Sequence, residues 1–343
     1  MMAEPDLLYG SPHSTKCFGM EVKMKLLVLT PSLKDRHREA IIEKAGSYDV
    51  EVCFAASEDE IPSDFSEPDI IYGFGVKTAQ NCRTLKWMCV PWAGVDSLMK
   101  PGVFANDECI LTNSSGAYGV SIAEHIIAVT LMMMRHLTTY HEEILKGNWG
   151  RERYHQDSIK DSRITVLGTG DIGCTFATRV RAFEPAGIVG VSRSGVCERF
   201  DFDKMLKTDD LDSVLPDTDL LVMSLPGTDE TVNILNRERI MSMPQGAYIV
   251  NVGRGSAIDD DALCDALESG HLGGASLDVF KTEPLPEESR LWKTKNLLIT
   301  PHVAGNLTLD HTLNKNVDMF LEDMDNFFND RPLKNKVDRS RGY

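Results

Sequence analysis

Long apolar runs are missing from this sequence. The most apolar stretch, residues 122–134, is too short to cross a bilayer and contains Glu124 and His125. The residues before Val22 include acids and have no apolar centre, so we do not expect a secretory signal there. These features predict a cytoplasmic protein with no membrane partner.

Closely spaced cysteines are also missing, although the chain contains eight cysteines. They are scattered and form no Cys-x-x-Cys pair, which favours free, reduced thiols and indicates no metal site. Cys174 begins a predicted helix, where the helix dipole could lower the thiol pKa. We favour a packing role for this small side chain.

Positive charge is scarce. The chain has 36 Lys and Arg residues against 52 Asp and Glu residues, and its formal net charge is −16. This balance argues against a nucleic-acid partner or an anionic membrane surface. It leaves room for a small anionic substrate, which needs only a local positive site. A length of 343 residues with 42% hydrophobic residues is typical of a globular protein with two domains.

One glycine-rich stretch, RITVLGTGDIG at residues 163–173, organises the rest of the chain. Gly168, Gly170 and Gly173 have the spacing Gly-x-Gly-x-x-Gly, between an apolar strand candidate and a helix predicted over residues 174–183. In such a motif the glycines permit a tight turn, close approach of a pyrophosphate and close packing of the helix. The context predicts a dinucleotide site. An ordinary strand-to-helix turn is the alternative.

Strand and helix candidates alternate from Val22 onward, which predicts an α/β protein with parallel sheets covered on both faces. The first unit has a helix candidate at 33–45 and strand candidates at 25–30, 50–55, 69–73, 87–90 and 109–112. The second unit has six strand candidates, at 164–167, 187–191, 219–225, 247–252, 274–279 and 296–300. Six strands with helical intervals match the doubly wound dinucleotide fold.

Two long helices are predicted outside these units. Residues 120–140 are apolar around most of the circumference, so we expect one buried helix between the domains or at a subunit interface. Residues 314–328 form an amphipathic helix whose apolar face consists of Val317, Phe320, Leu321, Met324 and Phe327. This last helix has no strand of its own. It is therefore predicted to pack on the first unit, which would make the dinucleotide unit an insertion.

Polar residues follow three strand candidates of the second unit, where parallel sheets bind ligands. Arg254 follows the strand at 247–252, Asp278 and Glu283 come at the end of the next strand, and His302 follows the last. A cation, a carboxylate and an imidazole suit reduction of a carbonyl beside a carboxylate. The imidazole supplies a proton, the carboxylate orients it, and the guanidinium binds the acid group. Considered one at a time, Arg254 could instead be a surface arginine, Glu283 a turn cap and His302 a buried histidine.

Several segments together resemble those of the D-isomer-specific 2-hydroxyacid dehydrogenases. They are PWAGVD, NSSGAYGVSIAEH, SLPGTDET, NVGRG, LDVFKTEP and TPHVAG, and the similarity extends over nearly the whole chain after Met24. The resemblance implies two doubly wound parallel-sheet domains. A Rossmann domain at 115–305 would be inserted into a flavodoxin-like substrate domain made of 1–114 and 306–343. It also implies a homodimer joined through the coenzyme domain and the long helix after the first crossover between the domains.

The resemblance also implies roles for individual residues. His302 would be the general acid and base, Glu283 its partner, Arg254 the ligand of the substrate carboxylate and carbonyl, and Asp278 a neighbour of the nicotinamide carboxamide. Backbone amides of Ala93, Gly94 and Val95 would hold the substrate carboxylate. The coenzyme-binding residues expected from the glycine fingerprint, from the resemblance and from the polar segment GIVGVSRSG are Gly168, Thr169, Gly170, Asp171, Ile172, Gly173, Ser192, Arg193, Ser194, Leu225, Pro226, Gly227, Thr231, Val252, Gly253, Asp278, His302 and Gly305.

The segment GIVGVSRSG predicts which dinucleotide is used. NAD-specific sites have an acid about 20 residues past the fingerprint, but here Arg193 lies between Ser192 and Ser194. An arginine flanked by hydroxyls suits a 2′-phosphate, so we predict NADP, with NAD as the alternative. The sequence thus predicts an NADP-preferring, glyoxylate/hydroxypyruvate reductase-like enzyme that acts mainly on 2-oxoacids. The alternatives are a dinucleotide-sensing corepressor and an NAD-dependent formate-type dehydrogenase.

Overall fold

The computed structural model describes residues 23–150 and 154–339. The first sheet contains the strands β1 (Lys25–Leu29), β2 (Glu51–Phe54), β3 (Ile70–Gly73), β4 (Trp87–Cys89) and β5 (Ile110–Thr112). Their order is β2-β1-β3-β4-β5, and every pair is parallel. This is the flavodoxin-like order. All five predicted strands of the first unit are confirmed.

The second sheet has seven strands: β6 (Arg163–Leu167), β7 (Gly187–Ser192), β8 (Lys204–Lys207), β9 (Leu220–Met223), β10 (Ala247–Asn251), β11 (Leu272–Leu277) and β12 (Leu297–Ile299). Their order, β12-β11-β10-β9-β6-β7-β8, is that of a doubly wound dinucleotide fold with one added strand. The prediction of six strands was wrong because it omitted β8. That strand is a four-residue edge strand, KMLK, with an exposed lysine at each end, which is how exposed sheet edges are commonly protected.

Eight α-helices connect and flank these strands in the described residues. They are α1 (Asp35–Gly46), α2 (Val76–Asn81), α3 (Gly119–Met134), α4 (Leu137–Leu145), α5 (Asp171–Val180), α6 (Arg237–Ser242), α7 (Asp260–Glu268) and α8 (Asp310–Phe328). The helix after the fingerprint begins three positions before Cys174, the predicted start. Gly170, with extended backbone angles, is its N-terminal flanking residue, so the helix begins inside the glycine motif.

The single helix predicted over residues 120–140 is a pair of helices. α3 ends at Met134, His136 takes a left-handed conformation with φ 51°, and α4 continues at 61° to α3. α3 is largely buried, whereas α4 contains no buried residue. The prediction of one buried helix was therefore wrong in its second half. No single helix among the described residues is long and apolar enough to cross a membrane, although α3 and α4 would be if taken together.

The C-terminal helix α8 packs on the first sheet, as predicted. The ring of Phe320 stacks on Tyr72 of β3 at a centroid distance of 4.0 Å and also lies near Trp87 of β4. Val317 and Met324 are buried in the same core. The chain therefore leaves the first sheet after β5, forms the whole second sheet, and returns to the first. The exact domain boundaries stay a prediction.

Candidate active site

The glycine turn between β6 and α5 has room for a phosphate group. Gly168 has a φ of +103°, and a Cβ on Gly173 would lie 2.1 Å from the carbonyl oxygen of Gly168. These two positions therefore need glycine for the turn and for helix packing. A Cβ on Gly170, in contrast, would have no atom within 4 Å. The residues present fit a dinucleotide pyrophosphate above Gly170, at the N-terminus of a ten-residue helix.

Three of the predicted coenzyme residues, Asp171, Ile172 and Gly305, lie next to α3. A Cβ on Gly119 of α3 would lie 2.5 Å from Oδ2 of Asp171, and that oxygen is buried without a hydrogen-bond partner. Ile172 packs in the core between α3 and the sheet, and Gly305 lies close to the Tyr118 ring. These residues would shape the phosphate site rather than contact the phosphate, because the Asp171 side chain is turned towards α3.

The loop after β7 carries the predicted 2′-phosphate residues. Ser192 Oγ accepts from the Gly195 amide at 3.2 Å and lies 3.5 Å from Ser194 Oγ, while Arg193 and Ser194 are exposed. Lys207, at the end of β8, is paired in register with Ser192 and lies against Gly195. Lys207 was not predicted as a neighbour of these residues. Prediction of the KMLK segment as a strand would have indicated that it lies beside Ser192.

The loop after β9 contains a further set of predicted coenzyme residues. The Thr231 hydroxyl donates to the Pro226 carbonyl at 2.9 Å and accepts from the Thr228 amide at 3.0 Å. Thr231 therefore fixes the shape of this loop. A Cβ on Gly253 would lie 2.6 Å from the Leu225 nitrogen, so glycine lets the loops after β9 and β10 pack backbone to backbone. Val252, before Gly253, is buried.

Arg254 reaches from the second sheet to the first. Its Nε lies 2.8 Å and its Nη2 2.7 Å from Asp96 Oδ2, and Nη1 donates to the Gly253 carbonyl at 2.8 Å. A Cβ on Gly94 would lie 1.8 Å from Nη2, so the guanidinium can occupy this position only beside a glycine. Asp96 was not predicted as a site residue, although it ends the PWAGVD segment that follows β4.

The other predicted substrate-binding residues hold this loop in place. The Ala93 carbonyl accepts from the Asn113 side chain at 2.8 Å. The Val95 side chain is buried in the core of the first domain, and its carbonyl accepts from the Leu98 amide at 2.8 Å. Gly94, between these anchored residues, is thus held against Arg254.

His302 and Glu283 form the pair predicted from the sequence. His302 Nδ1 and Glu283 Oε2 are 2.7 Å apart, and Glu283 Oε1 accepts from the Phe280 amide at 2.9 Å. His302 itself has a left-handed φ of 53° and is exposed. The pair uses Nδ1, so Nε2 is the ring nitrogen that can exchange a proton with a substrate.

Asp278 supports the loop that carries His302. This buried carboxylate accepts from the amides of Val303 at 2.9 Å and Ala304 at 3.0 Å, and from the Thr300 hydroxyl at 2.6 Å. The Thr300 hydroxyl also lies 3.4 Å from His125 Nε2. Burial lowers the pKa of His125, although the charge of Asp278 opposes this shift. The role expected beside a nicotinamide stays a prediction.

The loop of Arg254 also packs on the segment that holds Glu283. A Cβ on Gly255 would lie 2.0 Å from the carbonyl carbon of Phe280, whose amide binds Glu283. The loop of Arg254 thus contacts the backbone of the segment that holds Glu283, and Glu283 in turn contacts His302. No group of His, Cys, Asp or Glu residues that could hold a metal ion is found in residues 23–150 and 154–339.

Comparison with known proteins identifies the family. Residues 127–304 match the family model described as D-isomer specific 2-hydroxyacid dehydrogenase, NAD binding domain. A family protein from Aeromonas salmonicida subsp. salmonicida has a similar structure, with a TM-score of 0.80, 31% identity, and coverage of 92% of this chain and 99% of its own. The chain belongs to the D-isomer specific 2-hydroxyacid dehydrogenases, a family of NAD(P)-dependent oxidoreductases. The family resemblance read from the motifs is confirmed.

Two further relatives carry more specific names. A NADPH-dependent glyoxylate/hydroxypyruvate reductase from Sinorhizobium meliloti, solved with NADP and sulfate, has a TM-score of 0.76 and 26% identity, covering 94% of this chain and 100% of its own. A D-3-phosphoglycerate dehydrogenase from Synechocystis sp. is 29% identical over 222 residues. That match covers 62% of this chain and 38% of the relative, so this chain spans well under half of that enzyme.

Proposed function

We propose that this protein is an NADP(H)-preferring D-2-hydroxyacid dehydrogenase that works mainly as a reductase of small 2-oxoacids. The observation that carries the proposal is the 2.7 Å contact between His302 Nδ1 and Glu283 Oε2. Such a contact holds an imidazole in one orientation and leaves Nε2 to exchange a proton. An imidazole held in this way is a general acid suited to reduction of a carbonyl.

The chain's own residues then account for binding and proton transfer. Bound NADPH would supply the hydride to the keto carbon of the substrate. Protonated His302 donates from Nε2 to the carbonyl oxygen, while Glu283 balances the positive charge of the ring. In the reverse direction, neutral His302 accepts the proton of the hydroxyl group.

Arg254 is suited to hold the acid group of the substrate. A guanidinium has five N–H donors. Asp96 engages the donors on Nε and one on Nη2, and the Gly253 carbonyl engages one on Nη1. One donor on each terminal nitrogen is left, which is the pattern that binds a carboxylate with two parallel hydrogen bonds.

The loop after β7 favours NADP over NAD. No acid stands at the end of β7, where NAD-specific sites bind the ribose hydroxyls. Arg193 and Lys207 instead place two cations around Ser192. A 2′-phosphate carries close to two negative charges, so this set of cations and hydroxyls complements NADP. The Sinorhizobium meliloti reductase, which is named NADPH-dependent, supports this proposal as a relative.

A fixed aromatic wall favours small substrates. Trp92 follows β4 and packs against the core of the first sheet and against the core between α3 and the second sheet. Its ring lies 5.4 Å from that of Phe74, which follows β3. The same loop carries Gly94, which lies against Arg254 from the second sheet. We propose glyoxylate or hydroxypyruvate as the substrate, and a bulkier pyruvate derivative as the second candidate.

Steady-state reduction of a panel of 2-oxoacids with NADPH and with NADH tests this function. The panel should contain glyoxylate, hydroxypyruvate, pyruvate and phenylpyruvate. Turnover of the first two with a preference for NADPH is expected. Coenzyme binding without turnover of any acid would favour the dinucleotide-sensing alternative. Oxidation of formate with NAD, and no reduction of 2-oxoacids, would favour the formate-type alternative.

A homodimer is part of the proposal. α4 and the residues after it expose the apolar side chains of Leu137, Ile144, Leu145 and Trp149, which is 86% exposed. Clustered apolar side chains of this kind mark association surfaces. Sedimentation of the wild-type protein should give the mass of two chains, and replacement of Leu145 and Trp149 by Glu should give that of one. A wild-type monomer would contradict the dimer.

A further inference from the structure

Two cysteines meet beneath the glycine turn. Cys174 lies in the first turns of α5, and Cys197 lies in the loop after β7, yet their sulfur atoms are 3.3 Å apart. Both also lie near the carbonyl oxygen of Thr169, Cys174 at 3.2 Å and Cys197 at 3.8 Å. Thr169 is the second residue of the Gly-x-Gly-x-x-Gly motif. The pair therefore connects the phosphate turn with the loop that follows Ser194.

The two thiols differ in reactivity. Burial, reinforced by the hydrogen bond with Cys197, raises the pKa of Cys174 to about 12. Burial also tends to raise the pKa of Cys197, but the hydrogen bond from Cys174 and the amides of Arg199 and Phe200 together lower it below its ordinary value. Cys174 is 5% exposed, whereas Cys197 is partly open to solvent. The dipole of α5 therefore does not dominate at Cys174, and Cys197 is the more reactive thiol.

We propose that Cys174 and Cys197 are a redox site, at which a hydroperoxide forms a reversible disulfide that weakens dinucleotide binding. The Cys197 thiolate attacks the peroxide oxygen, which gives a sulfenic acid and releases hydroxide or alkoxide. Cys174 sulfur then attacks the Cys197 sulfur, and the hydroxyl leaves as water with the Cys174 proton. The sum is two thiols and one hydroperoxide converted to one disulfide, one water and one alcohol or second water. A dithiol reductant reverses it by exchange.

The link to coenzyme binding is the Thr169 carbonyl. In the reduced protein both sulfur atoms lie beside this oxygen, so a thiol can donate its proton to it, whereas a disulfide has no S–H to donate. Bond formation also draws the Cys197 loop towards α5, and that loop continues from Ser192, Arg193 and Ser194. Loss of one or two weak hydrogen bonds and displacement of this loop should weaken binding about tenfold. This consequence rests on the proposed function, because it requires a dinucleotide at the turn.

The test combines mass spectrometry with binding. The full-length protein is treated with hydrogen peroxide, then analysed for the peptide pair that contains Cys174 and Cys197, lighter by two hydrogens. The dissociation constants of NADPH and NADH are measured by fluorescence before oxidation, after it, and after dithiothreitol. We expect the cross-linked pair, an about tenfold rise in the dissociation constant, and recovery on reduction.

Two variants separate this site from general oxidation. Cys197→Ser should bind the coenzyme equally well before and after peroxide. Cys53→Ser changes a half-buried cysteine on β2 of the other sheet, and it should respond as the wild type does. Absence of the cross-linked pair in the wild type, or a cross-link without change in affinity, would overturn the proposal. Failure of the reduced wild type to bind either dinucleotide would instead overturn the coenzyme assignment, and the switch with it.

Discussion

The Arg254 guanidinium and the Asp96 carboxylate join the two sheets of the molecule, with Nε 2.8 Å and Nη2 2.7 Å from the same oxygen. Asp96 follows β4 of the first sheet, and Arg254 follows β10 of the second. The two side chains are 29% and 46% exposed, so the pair adds little to stability. Its importance is positional, because it fixes the direction in which the guanidinium presents its remaining donors.

Replacing Arg254 with Gln should raise the Michaelis constant and also lower kcat, since the lost contact is to both the substrate carboxylate and the reacting carbonyl. The loss of a charged hydrogen bond is worth about 1.5–3 kcal/mol, which is on the order of tenfold to a hundredfold in kcat/KM. Asp96→Asn keeps the cation but loosens its orientation, so its effect should be smaller. Wild-type kinetics in Arg254→Gln would remove this residue from the site.

Two glycine substitutions should act in different ways. Gly94→Ala would place a Cβ 1.8 Å from Arg254 Nη2, which is the end of a flexible side chain. We expect a strong loss of activity with little change in the melting temperature, because the guanidinium moves and the backbone does not. Gly255→Ala would place a Cβ 2.0 Å from the backbone of Phe280, so it should lower the melting temperature by several degrees. Activity and thermal unfolding of both proteins check this, and a fully active Gly94→Ala would contradict it.

The pH dependence of the reaction reports on His302. Reduction of the 2-oxoacid should decline as pH rises, because only the protonated ring can donate, and oxidation of the hydroxy acid should show the reverse trend. Glu283→Gln removes the carboxylate that orients the ring through Nδ1, so kcat/KM should fall in both directions. Profiles of kcat/KM in both directions measure the change, and wild-type values in this variant would show that Glu283 does not partner the catalytic group.

Most of the fold could be predicted because buried parallel strands are apolar and end in glycine or polar residues. β8 was missed because its KMLK sequence lacks that pattern. The break between α3 and α4 was missed because the two residues at the break, Arg135 and His136, are neither glycine nor proline. His136 takes a left-handed conformation that the sequence around it does not suggest.

The residues of the site also fall into those that the sequence could predict and those that it could not. Arg254, Glu283 and His302 follow strands, so their approximate position could be predicted from the chain order. Asp96 and Lys207 become neighbours of site residues only through contacts between distant segments. The meeting of Cys174 and Cys197 is also unpredictable from spacing, because the loop after β7 turns back beneath the fingerprint.

His125 should make folding sensitive to acid. Burial lowers the pKa of His125 in the folded protein below its ordinary value of 6.5, so the unfolded chain takes up the proton first as pH falls. The contribution of neutral His125 is therefore present above about pH 6.5 and is lost as pH falls through the lower folded value. His125→Gln should flatten the fall in urea midpoint over that range, and the exposed His141→Gln should not. Equal acid sensitivity in wild type and His125→Gln would refute this explanation.

Coenzyme choice should depend on the loop after β7. A 2′-phosphate carries close to two negative charges, and Arg193 and Lys207 are the cations that flank Ser192 in the structure. Arg193→Ala should therefore weaken NADPH far more than NADH, by about 1.5–3 kcal/mol, and Lys207→Ala should act in the same direction. Ser192→Asp should add a partner for the ribose hydroxyls and repel the phosphate, so Ser192→Asp combined with Arg193→Ala should reverse the preference.

Dissociation constants of both dinucleotides, measured at one fixed ionic strength, check this prediction. Arg290→Ala is a matched control, because Arg290 pairs with Glu268 and Asp265 beside α7 and should leave the ratio of the two constants unchanged. If the wild type binds NADH more tightly than NADPH, or if Arg193→Ala weakens both equally, the preference for NADP is wrong. The dehydrogenase assignment would survive either result, since it depends on Arg254, Glu283 and His302 rather than on the adenosine end of the coenzyme.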